Sequence, residues 1–204
     1  MTSTPIEFWF ELASTYSYPA AMRIESAATT AGVKILWRPF LLGPLFRAQG
    51  YGDSPFIQYP VKGRYMWRDV ARLCARYGLP FRMPSSFPRT SVLGARIACA
   101  FQDEAWVPQF VRALYHANFA EDLDIGSEAV VARCLIRCAQ NPAERFADVQ
   151  SAPLKDRLRQ QTEQATALAL FGAPSFRVGD ELFWGNDRLE DALAWARGEH
   201  PRPA

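Results

Sequence analysis

The sequence predicts an α/β protein whose sheet is built from the two ends of the chain, with a block of helices between them. Three observations carry that reading. Runs of aromatic and β-branched residues, the composition of strands, stand near the N-terminus and again after residue 174. Between them, from Arg64 to about Leu170, apolar residues recur at the three- and four-residue spacing of helices. No internal repeat is present.

The elements follow in order. Ile6-Glu7-Phe8-Trp9-Phe10 reads as a strand. Ser14-Thr15-Tyr16-Ser17-Tyr18-Pro19 supplies capping residues and a proline suited to a first helical turn. The helix runs from Ala20 to about Ala31 and ends at Gly32. Val33–Arg38 is a second strand, stopped by Pro39, and this strand–helix–strand unit closes right-handed with parallel strands. Gly43 to Gly63, rich in Gly and Pro, is expected to be irregular. Met66, Val70, Leu73, Cys74 and Tyr77 then mark a helix stopped by Gly78 and Pro80. Further helices are expected over 91–105, 108–119, 127–140, 142–150 and 154–170. Pro174–Val178 and Glu181–Trp184 flank Gly179-Asp180 as a hairpin. A last helix begins near Asp187, and 198–204 is expected to be a frayed tail. The order matches a thioredoxin-like fold in two halves, 1–42 and 171–204, with an all-helical domain, 43–170, inserted between them.

Composition narrows the function classes. The 204 residues are 49% hydrophobic and 22% charged, a globular balance that excludes disorder and fibres. No apolar run has membrane-spanning length. The start, MTSTPIEFWFE, lacks the basic residues and apolar core of a signal peptide, so a soluble cytoplasmic protein is expected. Net charge is +2 with Lys and Arg dispersed, which suits a small acidic substrate better than nucleic acid. Four cysteines, Cys74, Cys99, Cys134 and Cys138, form no CxxC pair and read as reduced core residues. Two histidines cannot build a His-rich metal site, and zinc or Ser-His-Asp chemistry is not expected.

In a thioredoxin-like fold the site lies where the first strand feeds the first helix, facing a loop that carries a proline. Those positions are Ser14 and Phe171-Gly172-Ala173-Pro174-Ser175. Ala173-Pro174 is a candidate cis peptide; an ordinary trans proline opening a strand is the alternative.

Three motifs, FELASTYSY (10–18), VKGRYMWRD (61–69) and FGAPSF with FWGNDRL (171–176, 183–189), carry a family resemblance across nearly the whole chain. In their order and spacing the chain resembles the glutathione-dependent 2-hydroxychromene-2-carboxylate isomerases, relatives of kappa-class glutathione transferases and DsbA-type oxidoreductases. The resemblance implies an isomerase that converts 2-hydroxychromene-2-carboxylate-type acids to trans-o-hydroxybenzylidenepyruvate-type products in aromatic catabolism. Glutathione would be the cofactor and a homodimer the assembly. Ser14 would hydrogen-bond the glutathione thiolate at a helix N-terminus, where N–H groups favour negative charge; a plain N-cap is the alternative role.

The resemblance also nominates a groove. Tyr16 and Trp184 would flank it, and Ala173 beside Pro174 would meet the cysteinyl backbone. Gly185, Asn186 and Asp187 would hold the γ-glutamyl end, and Lys62 the glycyl carboxylate. Arg47 and Arg89 are the candidate cations for an aromatic keto-acid substrate. Two positions depart from the family: no Asn lies between Gly43 and Lys62, with Asp53 and Gln58 the nearest polar substitutes, and Thr90 stands where Asn is common. A kappa-like transferase, which conjugates an electrophile, and a non-catalytic module that binds extended peptides beside Pro174 are the competing readings.

Overall fold

A computed structural model describes residues 3–199. The chain opens with strand β1 (Ile6–Phe10), helix α1 (Ser17–Ala31) and strand β2 (Ile35–Pro39). Helices follow: α2 (Leu42–Ala48), α3 (Pro55–Gln58), α4 (Pro60–Arg76), α5 (Val92–Ala100) and α6 (Val107–Phe119). Then come α7 (Glu128–Arg137), α8 (Pro142–Asp148) and α9 (Ala152–Ala167). Strands β3 (Ser175–Val178) and β4 (Glu181–Trp184), a 3₁₀ turn (Asn186–Arg188) and helix α10 (Leu189–Ala196) complete it. The expected order of strand and helix is therefore present. The expected tail, 198–204 with His200, lies mostly outside the described residues.

The sheet has four strands in the order β2-β1-β3-β4. β1 pairs with β2 in parallel, as a strand–helix–strand unit requires. It pairs antiparallel with β3, Trp9 opposite Ser175, and β3 pairs antiparallel with β4. Because β3 runs against β1, the start of β3 lies beside the end of β1. That register brings the segment before Ser175 next to the segment after Phe10, although more than 160 residues of chain separate them.

β1 is buried on both faces, so its sequence is nearly continuous apolar. Ile6, Phe8 and Phe10 join the main core, where Phe8 stacks on Phe10 and Phe176 at 5.0 and 5.5 Å between ring centroids. Trp9 points to the other face and packs with Phe40, Leu45, Ala165 and Leu170. Pro39 belongs to β2 instead of stopping it, because β2 is an edge strand with no partner waiting for the missing N–H.

α1 ends where expected. Gly32 takes a left-handed φ of +64°, and the Gly32 and Val33 N–H groups close back onto Thr29 and Ala28 carbonyls. Gly179 likewise adopts φ +60° in the β3–β4 turn.

The 43–63 stretch corrects the sequence reading, since much of it is helical. Pro55 and Pro60 each occupy the first turn of a helix, where a proline lacks no needed donor. Several helices also end earlier than expected; α5 stops at Ala100 where continuation to Ala105 was expected, and α9, which begins at Ala152, stops at Ala167 where Leu170 was expected.

Gly63 on α4 sits against α3. A methyl group there would lie well inside van der Waals contact of the Phe56 carbonyl oxygen. Gly63→Ala is therefore expected to push α3 off α4 and cost about 1–3 kcal/mol, measured as a lowered urea midpoint.

All four cysteines are buried and free, in agreement with the core reading. Burial raises the thiols of Cys74, Cys99 and Cys134 to about 11 and that of Cys138 in the same direction.

Candidate active site

Ser14 lies in the turn between β1 and α1, with its own N–H donating to the Glu11 carbonyl at 2.9 Å. Its hydroxyl is used twice. It accepts the Ser17 N–H at 3.3 Å, taking one of the orphan donors of the first turn of α1, and it donates to the Ala173 carbonyl at 3.1 Å. The Ser14 hydroxyl thus accepts from the first turn of α1 while it donates to the carbonyl before Pro174. The Ala173-Pro174 peptide is cis, as is Phe87-Pro88.

Around this pair the structure gathers most of the nominated residues. Tyr16 donates its hydroxyl to Asp69 of α4 at 3.1 Å. Burial and then the Asp69 carboxylate push its phenol well above the ordinary value, so Tyr16 stays neutral and anchors α4 to the Ser14 turn. On the other side, Trp184 is 54% exposed and meets Phe171 edge to face at 4.9 Å. Its indole lies over Gly172, where any Cβ would clash, so the ring and the Phe171–Pro174 loop form one wall. Gly185, at φ +116°, donates its N–H to the Pro174 carbonyl at 3.0 Å and starts the 3₁₀ turn. Asn186 is buried. Its Oδ1 accepts from Arg23 at 3.2 Å, while its Nδ2 donor is buried without an acceptor. Asp187 has a side chain 73% exposed and is close enough to Tyr16 for its charge to raise the phenol further.

Lys62 is exposed at the start of α4, its ammonium 5.1 Å over the Tyr59 ring. Arg47 is exposed on α2. That helix is tied to the cis-proline loop by Gln49, whose amide donates to the Phe171 carbonyl at 3.4 Å. An apolar hollow of about 270 Å³, lined by Leu45, Ala48, Ala169 and Phe171 among others, opens between α2 and that loop.

Arg89 does not join them. Its side chain is 5% exposed, and both terminal nitrogens donate, to Asn118, Leu123, Ser85 and Asp122. A guanidinium engaged this fully has no free fork for a substrate carboxylate. It ties the loop before α5 to the loop after α6 instead, and it holds the Asp122 carboxyl low, second to the Ser85 N–H in effect.

Two residues of the site were not nominated from the sequence, although both lie inside the quoted motifs. Asp69 closes VKGRYMWRD and partners Tyr16. Glu11 follows Phe10 and is 8% exposed. Its carboxylate accepts from the Ala13 N–H at 3.0 Å and from the Ser91 hydroxyl, and its carbonyl accepts from Tyr115 at 2.8 Å. Burial pushes its carboxyl up to about 7, against the lowering effect of those two donors.

The arrangement is that of a thioredoxin-fold protein whose first strand-to-helix turn sets a hydroxyl against the cis-proline loop and whose own thiols all lie elsewhere, in the core. Comparison with known proteins agrees. A DSBA-like thioredoxin domain matches residues 5–194. 2-Hydroxychromene-2-carboxylate isomerase of Sphingobium xenophagum is 31% identical over 93% of this chain and 96% of its own. Glutathione S-transferase kappa 2 of Caenorhabditis elegans is 26% identical over 90% of this chain and 88% of its own. A solved 2-hydroxychromene-2-carboxylate isomerase superposes with a TM-score of 0.84 at 26% identity, covering 95% and 94% of the two chains. The chain belongs to the DSBA-like thioredoxin family and, within it, to the 2-hydroxychromene-2-carboxylate isomerase group.

Proposed function

We propose that this protein is a glutathione-dependent isomerase of an anionic aromatic keto acid of the 2-hydroxychromene-2-carboxylate kind. The observation that carries the reading is the Ser14 hydroxyl, placed between the first turn of α1 and the carbonyl before the cis proline, with no cysteine beside it. Such a site has no sulfur of its own and is suited to one brought by a ligand. The names of relatives support both parts, isomerase and glutathione.

The residues present fit glutathione. The first turn of α1 favours a thiolate beside Ser14. Asn186 presents a buried donor without an acceptor, Asp187 an exposed carboxylate for an ammonium, and Lys62 an exposed ammonium for a carboxylate. Bound there, glutathione supplies a thiolate able to add to and leave a conjugated C=C bond, which makes rotation about that bond accessible and returns the thiol unchanged.

The chain's own part begins with a hydrogen bond exchange. In the free protein the Ser14 hydrogen goes to the Ala173 carbonyl. A ligand amide that donates to this carbonyl, as an added strand would, releases the Ser14 hydrogen for the sulfur. Arg47, exposed on α2, is the cation for the substrate carboxylate, and the exposed ring of Trp184 and the apolar hollow beside Phe171 suit an aromatic body. The tie of α4 to the Ser14 turn through Asp69 and Tyr16, and of α2 to the cis-proline loop through Gln49, supports these roles for Lys62 and Arg47. A homodimer and a cytoplasmic location complete the proposal.

Calorimetric titration with reduced glutathione, followed by turnover of 2-hydroxychromene-2-carboxylate, tests it. Saturable binding with glutathione conserved through many turnovers is expected. Stoichiometric loss of glutathione into an adduct would make the protein a transferase, and absence of binding at millimolar concentration would overturn both enzyme readings.

A further inference from the structure

We infer that Glu11 is the charge-compensating residue of this site: when a thiolate is held at Ser14, Glu11 takes up a proton, so the buried turn carries one negative charge and not two. The inference rests on the borrowed-thiol reading and adds a residue to it.

Glu11 follows the last residue of β1, three residues before Ser14, and its carbonyl holds the Ser14 N–H in the same turn. Its carboxylate lies within that turn, bonded to the N–H of Ala13. The donors recorded on the carboxylate are both neutral, the Ser91 hydroxyl from the segment entering α5 and the Ala13 N–H from its own loop, while the Tyr115 phenol of α6 donates to the Glu11 carbonyl beside it. Among the described residues no Lys, Arg or His pairs with it. Burial also drives Tyr115 far above its ordinary range, the Glu11 charge adding to the effect, so the phenol stays neutral and adds no second negative charge.

An ionised carboxylate in such surroundings has only two donors to offset its desolvation. A second anion held in the same hydrogen-bonded turn makes the doubly charged state costlier still, and the two groups then titrate as a coupled pair. The carboxyl already titrates near neutrality, at about 7. The balance is then simple. The ligand's thiol gives its proton to solvent, Glu11 takes one from solvent, and no electrons move.

Proton release on glutathione binding reads this directly. It is measured by calorimetry in buffers of different ionisation enthalpy from pH 6 to 8. With Glu11 free to take up a proton, release at pH 7.5 is expected to be only about a fifth of a proton per glutathione, because about three-quarters of Glu11 is ionised before binding, and with Glu11→Gln about one. Glutamine keeps an oxygen for the Ala13 N–H, so a purely structural role of Glu11 would leave the count unchanged. Ser91→Ala supplies an independent variant. Removing that donor raises the Glu11 carboxyl further, so the fall in proton release is expected to move to higher pH. Equal proton counts in all three proteins, with binding intact, would overturn this inference alone. Absence of glutathione binding in the wild-type protein would overturn it together with the reading it rests on.

Discussion

Ser14→Ala is expected to lower kcat/KM of the glutathione-dependent reaction by about 10- to 100-fold at pH 7, the worth of a hydrogen bond to a charged group. The first turn of α1 and the Ala173 carbonyl remain, so glutathione should still bind, more weakly as a thiolate and little changed as a thiol. The ultraviolet thiolate band of the complex is expected to titrate at higher pH in the variant. Loss of the acceptor for the Ser17 N–H costs about 1 kcal/mol of stability, small enough that the variant folds and the kinetic comparison holds. Turnover equal to that of the wild type would remove Ser14 from the mechanism.

The second large effect is on stability. Glu11 keeps its proton to about pH 7 when folded, against an ordinary value of 4.5. Between those values the folded state holds a proton that the unfolded chain gives up, so stability falls as pH rises through that window and levels off above it. The cost is on the order of 3 kcal/mol by pH 8, relative to pH 4. Glu11→Gln removes the ionisation and should remove this part of the slope. Urea denaturation at a series of pH values, wild type against Glu11→Gln, checks it. Parallel curves for the two proteins would mean that the folded state ionises Glu11 at no cost.

Much of this architecture is legible in the residues, and for identifiable reasons. The aromatic run of β1, Gly32 at a left-handed helix end and Gly179-Asp180 in a tight turn each have one good local solution. The meeting of Ser14 with the cis-proline loop follows from fold order, because β3 must run back along β1. Other features depend on partners far along the chain. The prolines of 43–63 read as breakers, yet Pro55 and Pro60 open helices whose packing is visible only in three dimensions. Arg89 is one arginine among many until Asn118 and Asp122 close around it. The burial that raises Glu11, and the Ser91 donor that partly offsets it, come from packing with a residue 80 positions away.

The placement of the four cysteines sets how the protein behaves in a thiol-rich medium. With thiols raised to about 11, roughly one in ten thousand of the Cys74, Cys99 or Cys134 side chains is a thiolate at pH 7, and all are buried. Mixed disulfides need an accessible thiolate, so the folded chain takes no part in exchange with oxidised glutathione. Its sulfur enters that chemistry only when the core opens, which makes S-glutathionylation a mark of molecules that have already unfolded.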